Sequence, residues 1–126
     1  MGGARALSRD LLFVYGTLRS GGSAADQMRP ARSLGAARYR GRLYDLGAYP
    51  GAVPSDDAAD VVCGELFALG DAASLLARLD RYEGPEFRRA RVAVTRGGEC
   101  LESWIYLYDR DVTGLPRIAS GDYRGS

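Results

Sequence analysis

The chain contains no histidine and no lysine; its 17 basic residues are all arginine. A Ser-His-Asp triad, a Cys-His dyad and a His-ligated zinc site are thereby excluded. Schiff-base chemistry on a lysine and a phosphate-loop lysine are excluded as well. Proton transfer in such a chain falls to a carboxylate, a tyrosine, a cysteine or the amino terminus. Cysteine is scarce, and Cys63 and Cys100 cannot build a disulfide framework. Each sits in an apolar, strand-like run and reads as a small core hydrophobe. No uncharged apolar run reaches the roughly 18 residues of a membrane helix. The run Leu11 to Tyr15 is too short for a secretory signal, and Ala6 stands where a myristoylation start needs Ser or Thr. A cytoplasmic protein is the expectation. The formal net charge is +1 with acids interleaved among the arginines, so neither a nucleic-acid nor a membrane partner is expected.

What is present is ordinary globular composition, 46% apolar and 26% charged over 126 residues. That length fits one domain over residues 1–126, with 1–9 as a loose arm. Leu11 to Tyr15 reads as a buried strand halted at Gly16, followed by a loop over Thr17 to Gly22. Ser23 to Arg29 suits a short helical turn closed by Pro30. Ser33 to Leu46 is a long strand with a bend at Gly41, and Gly47 to Pro54 reads as a loop holding Tyr49-Pro50-Gly51. Asp60 to Leu69 is a strand in which Gly64 marks a bulge or a close approach. Asp71 to Tyr82 is a helix with the stripe Ala72, Leu75, Leu76, Leu79 and Tyr82, a cap at Gly70 or Asp71, and a stop at Gly84-Pro85. Phe87 to Arg96 and Glu99 to Tyr108 form a hairpin across Gly97-Gly98. In the second of these strands Leu101, Ser103, Ile105 and Leu107 face one way, and Cys100, Glu102, Trp104, Tyr106 and Tyr108 the other. The tail Ile118 to Tyr123 reads as short and polar. Many strands with one helix predict an α+β fold, an antiparallel or mixed sheet closed into a small β-barrel to hide its edges.

Three places have the residue types for chemistry. The strand end Tyr15-Gly16-Thr17-Leu18 leaves backbone N–H groups unpaired, and glycine lets a ligand approach them; an ordinary turn is the alternative. Glu83 lies at the C-terminus of the helix, where the dipole and partial burial both raise a carboxylate pKa. A solvated Glu beside a glycine cap is its alternative, and Asp80 and Glu86 compete for the same role. The Trp104, Tyr106, Tyr108 face suits a barrel lining or a cavity in which a hydroxyl orients a ligand. Arg88, Arg89 and Arg91 suit a solvated edge or a partner for a substrate carboxylate.

In their order, these pieces resemble the gamma-glutamylcyclotransferase-like superfamily. The resemblance rests on Tyr15-Gly16-Thr17-Leu18 with Arg19, on Gly41 to Gly47, on Tyr49-Pro50-Gly51 and on Gly64-Glu65-Leu66-Phe67. It extends through Leu79 to Gly84, Trp104-Ile105-Tyr106 and Ser120 to Tyr123, covering roughly residues 11–124. It implies a small mixed β-barrel with flanking helices and a cavity where the Tyr15 loop meets Glu83. It also implies intramolecular aminolysis of a gamma-glutamyl amide, releasing 5-oxoproline and a free amine, with Glu83 as the general acid/base. Tyr15, Gly16, Thr17, Leu18 and Tyr106 would then bind substrate. The nucleophile is the substrate's own amine, so no metal and no cofactor are implied, and the partner is a small gamma-glutamyl amine. Thr17-Leu18, in place of Ser-Asn, points to the short branch of the superfamily. A noncatalytic protein using the same cavity for a small metabolite is the alternative.

Overall fold

The structure, a computed structural model, describes residues 10–123; the arm expected at 1–9 lies outside them. Six strands and one helix succeed one another as Asp10–Val14 (β1), Arg32–Asp45 (β2), Pro50–Pro54 (β3), Val61–Leu69 (β4), Ala72–Glu83 (α1), Phe87–Arg96 (β5) and Glu99–Tyr108 (β6). A 3₁₀ turn over Ala25–Met28 precedes β2, where the short helical turn is expected. The strand order is β3-β2-β4-β1-β6-β5, and a further β2–β5 pairing closes β2, β4, β1, β6 and β5 into a barrel. The β1–β6 pair is parallel and the others are antiparallel, so the barrel is mixed. Closure removes the sheet edges that an open five-strand sheet would expose.

The apolar run of β1 after Asp10 follows from burial on both faces. Phe13, with Tyr15 just beyond the strand, points into the barrel beside Tyr39, Leu66, Ile105 and Leu107. Leu12 and Val14 point outward beneath Leu75, Leu76 and Leu79 of α1. The two faces of β6 divide as its alternation predicts: Leu101, Ile105 and Leu107 belong to the barrel interior, while Tyr106 and Trp104 pack on the helix side. Asp71 caps α1 by accepting the Ser74 N–H at 3.3 Å. Gly64 is a close approach: a Cβ there would lie 2.5 Å from the Phe13 ring.

Three expectations need correction. Gly47 to Pro54 is not all loop, because Pro50–Pro54 pairs with the Gly41 end of β2. Proline is tolerated there because β3 is an edge strand. Gly41, where a bend is expected, is where β2 leaves β4 and takes up β3; a separate register irregularity of β2 falls at Ser33/Gly35, where Gly35 has φ +97°. The tail is not merely polar: Ile118 enters the barrel core, and its N–H donates to the Leu43 carbonyl at 2.8 Å. Cys100 is exposed beside the Gly97-Gly98 turn and Cys63 is half-buried, so neither is a core side chain.

Candidate active site

Where the barrel end meets the C-terminus of α1, a cavity of about 200 Å³ opens. It sits at the junction of the two apolar clusters, with Phe13 and Tyr15 from one and Val14, Leu18 and Tyr106 from the other. All six residues singled out from sequence line it: Tyr15, Gly16, Thr17, Leu18, Glu83 and Tyr106. Tyr49, Pro50, Tyr82 and Phe87, which sequence reasoning missed as site residues, complete the wall. The Tyr49-Pro50-Gly51 cluster was the available signal; it is read as part of a loop and as one piece of the family resemblance, with no site role assigned to it.

Glu83 is the one formally charged side chain among the described residues lining the cavity. Burial pushes its carboxyl up to about 7 from an ordinary 4.5. No hydrogen bond or ion pair with a described residue offsets that burial, which is why desolvation alone sets the direction. Its two competitors are committed elsewhere. Asp80 holds Arg89 in a two-pronged ion pair at 2.9 and 3.2 Å, and its carboxyl is lowered first by that contact. Glu86 accepts the Tyr49 hydroxyl at 2.7 Å and does not line the cavity.

Opposite, the loop after β1 turns tightly. The Gly16 carbonyl accepts the Arg19 N–H at 3.1 Å and the Thr17 carbonyl accepts the Ala24 N–H at 2.9 Å. The N–H groups of Gly16, Thr17 and Leu18 donate to no described residue, which leaves consecutive donors at the cavity wall. Gly16 is required by closeness: a Cβ there would meet the Pro50 ring at 2.8 Å. Arg19 anchors the loop through a 2.8 Å ion pair to Asp122 of the tail.

The tyrosines around the cavity present rings, not free hydroxyls. Tyr15 donates to the Tyr106 carbonyl at 2.6 Å and accepts the Ala52 N–H at 3.1 Å, tying β1, β6 and β3 together. Tyr106 donates to Asp80 at 2.7 Å, and Tyr82 shares a 3.3 Å hydrogen bond with Thr17. Tyr82 is exposed at the mouth, outside the apolar stripe assigned to it, because the helix is already ending there. Trp104 lies beyond this wall under the guanidinium groups of Arg89 and Arg91, at 4.3 and 4.8 Å. Arg88 pairs with Asp109 at 3.4 Å and Arg91 with Glu102 at 3.2 Å, so the arginine edge is internally balanced. No group of three or more acidic or cysteine side chains that could hold a metal occurs among the described residues. No helix among them is long and apolar enough to cross a membrane.

The chain and its barrel have counterparts among known proteins. Residues 12–125 match the family described as gamma-glutamyl cyclotransferase, AIG2-like. The chain belongs to that family. It is 38% identical over 115 residues to the gamma-glutamylcyclotransferase family protein YtfP of Escherichia coli, covering 89% of this chain and 94% of that protein. The solution structure of that E. coli protein superposes with a TM-score of 0.63 at 36% identity, over 92% of this chain and 99% of its own. The gamma-L-glutamyl-butirosin B gamma-glutamyl cyclotransferase of Niallia circulans is 33% identical over 108 residues, 79% of this chain and 67% of that one. An AIG2-like protein from Mus musculus shares the fold, with a TM-score of 0.73 at 20% identity over 86% of this chain and 85% of that one.

Proposed function

We propose that the chain is a gamma-glutamyl cyclotransferase that converts a gamma-glutamyl amide into 5-oxoproline and a free amine, with Glu83 as the proton shuttle. The observation that supports this reading is an unpaired, half-buried carboxylate, pushed up to about 7, lining one small cavity together with backbone N–H groups that donate to no described residue. The substrate's α-amine nitrogen attacks its own γ-carbonyl carbon and closes a five-membered ring. Glu83 takes the proton that the amine sheds. As the bond from that carbon to the amide nitrogen breaks, Glu83 returns the proton to the departing nitrogen and regains its starting state. A carboxyl that titrates near neutrality suits both halves of that exchange. The N–H groups of Gly16, Thr17 and Leu18 hold the substrate carboxylate or the developing oxyanion. The rings of Tyr15 and Tyr106 wall the folded glutamyl chain, and holding it folded supplies proximity worth several kcal/mol in favourable intramolecular cases.

The test is release of 5-oxoproline from a panel of gamma-glutamyl amines by the parent chain and by Glu83→Gln. The amide keeps shape and hydrogen-bonding reach but accepts no proton from the amine. Turnover is expected to fall by about 10²–10⁴-fold while binding changes far less. Glu86→Gln, outside the cavity, is the control. Binding without turnover by the parent chain would replace the enzyme with a metabolite-binding protein.

A further inference from the structure

Four tyrosines line the cavity with Glu83, and a phenol is the natural hydrogen-bond donor to a carboxylate. Yet each hydroxyl has another partner. Tyr15 donates to the Tyr106 carbonyl, Tyr49 to Glu86, Tyr106 to Asp80, and Tyr82 pairs with Thr17. Tyr106 is the decisive case. Asp80 and Glu83 stand three residues apart on α1 and therefore share one helix face. Both carboxylates act on the Tyr106 phenol, which is raised first by burial, then by Asp80, with Glu83 adding to the same direction. Asp80 takes the proton donor, at 2.7 Å. It is fixed for that task by Arg89 from β5, which grips both of its oxygens. Arg89 is in turn seated on the Trp104 ring.

We infer that Asp80, clamped by Arg89, is a positioning residue that keeps the Tyr106 hydroxyl off Glu83, so that the base stays unpaired. The inference rests on the reading of Glu83 as the base. Without Asp80 the phenol is left with the Leu76 carbonyl, at 3.5 Å, and the remaining carboxylate of the shared cavity, whose charge makes it the stronger acceptor. A hydrogen bond donated to that carboxylate favours its charged form and weakens it as a base. The acidic limb of the rate profile then moves to lower pH and its plateau falls.

The experiment follows the Glu83 carboxyl carbon by NMR titration of the folded chain labelled at glutamate, with Glu83→Gln assigning the signal. Asp80→Ala is expected to move the Glu83 midpoint down by about one pH unit or more. Adding Tyr106→Phe is expected to bring it back to the midpoint of the Tyr106→Phe single variant. A midpoint unmoved by Asp80→Ala would overturn the inference. So would a fall that Tyr106→Phe does not reverse, since that fall would come from the bared charge of Arg89. Asp80→Leu, close to aspartate in shape and without an acceptor, puts the same question should Asp80→Ala lose its folded spectrum. Turnover is read alongside: kcat in Asp80→Ala should drop about tenfold, with KM nearly constant, and recover in the double variant relative to Tyr106→Phe. Absence of turnover in every form, the parent included, would remove the enzymatic reading while the titration still decided the role of Asp80.

Discussion

A half-buried carboxylate with no partner among the described residues is held most comfortably as its neutral acid, and this ties the stability of the chain to Glu83. Burial raises its folded pKa from 4.5 to about 7, so the protonated form favours the fold. That contribution is fully present below about pH 4.5 and is lost as pH rises through about 7. Glu83→Gln, which never ionises, should therefore match the parent in chemical denaturation at pH 4 and exceed it at pH 8 by about 2–3 kcal/mol. Equal stability at both pH values would show that Glu83 is not desolvated. Gly16 is governed by space, since its φ is unexceptional and the Pro50 ring fills the position of a Cβ. Gly16→Val should push Pro50 into the cavity and weaken 5-oxoproline binding by calorimetry at least about tenfold. Thr17→Ser, which keeps the hydroxyl shared with Tyr82, should change it far less. The residue types at this site were legible from the start, because with His and Lys absent only a few groups were left to move a proton. The physical choice among Asp80, Glu83 and Glu86 was not legible in the local pattern, and only the family resemblance pointed to Glu83. It depends on Arg89 and Tyr49 occupying the other two, contacts set by strand register and a distant loop.

At the scale of elements, α1 positions Glu83 and Gly84 ends it. Gly84 has φ +80° and ψ −177°, a region essentially reserved for glycine, and its N–H closes the helix onto the Asp80 carbonyl at 3.2 Å. Gly84→Ala should lower stability by about 1–3 kcal/mol and displace the adjacent Glu83, so kcat should fall with it. Denaturation and steady-state kinetics on one preparation check both, and an unperturbed kcat would uncouple the cap from the site. Helix and hairpin were readable because their signals are local: an apolar stripe with an Asp71 cap, and a Gly97-Gly98 turn with both φ positive. β3 was not readable. Tyr49-Pro50-Gly51 has turn composition, and its pairing with β2 is allowed only because one side of the strand needs no partner.

Over the whole molecule, barrel closure brings β1 beside β6 in parallel and sets the Tyr15 loop against the end of α1. The tail then fastens the assembly. Arg117 joins Arg42 and Ser55 on Asp60, Ile118 fills the barrel, the Gly121 carbonyl accepts the Cys63 N–H at 2.7 Å, and Asp122 holds Arg19. A lone isoleucine carries no periodic signal, so its place in the core was invisible in sequence, although Ser120 to Tyr123 form part of the family resemblance. Ile118→Ala should cost about 2–4 kcal/mol in equilibrium denaturation, the range of a core side chain; a surface-like loss of ~0.5 kcal/mol would mean that the tail does not belong to the core. The arrangement as a whole serves one claim, that this barrel end is a catalytic cavity centred on one carboxylate. The most direct measurement is 5-oxoproline formation from gamma-glutamyl amines by parent and Glu83→Gln chains of equal foldedness. Turnover in the parent and a fall of about 10²–10⁴-fold in the variant are expected. Near-equal turnover in the two would contradict that claim.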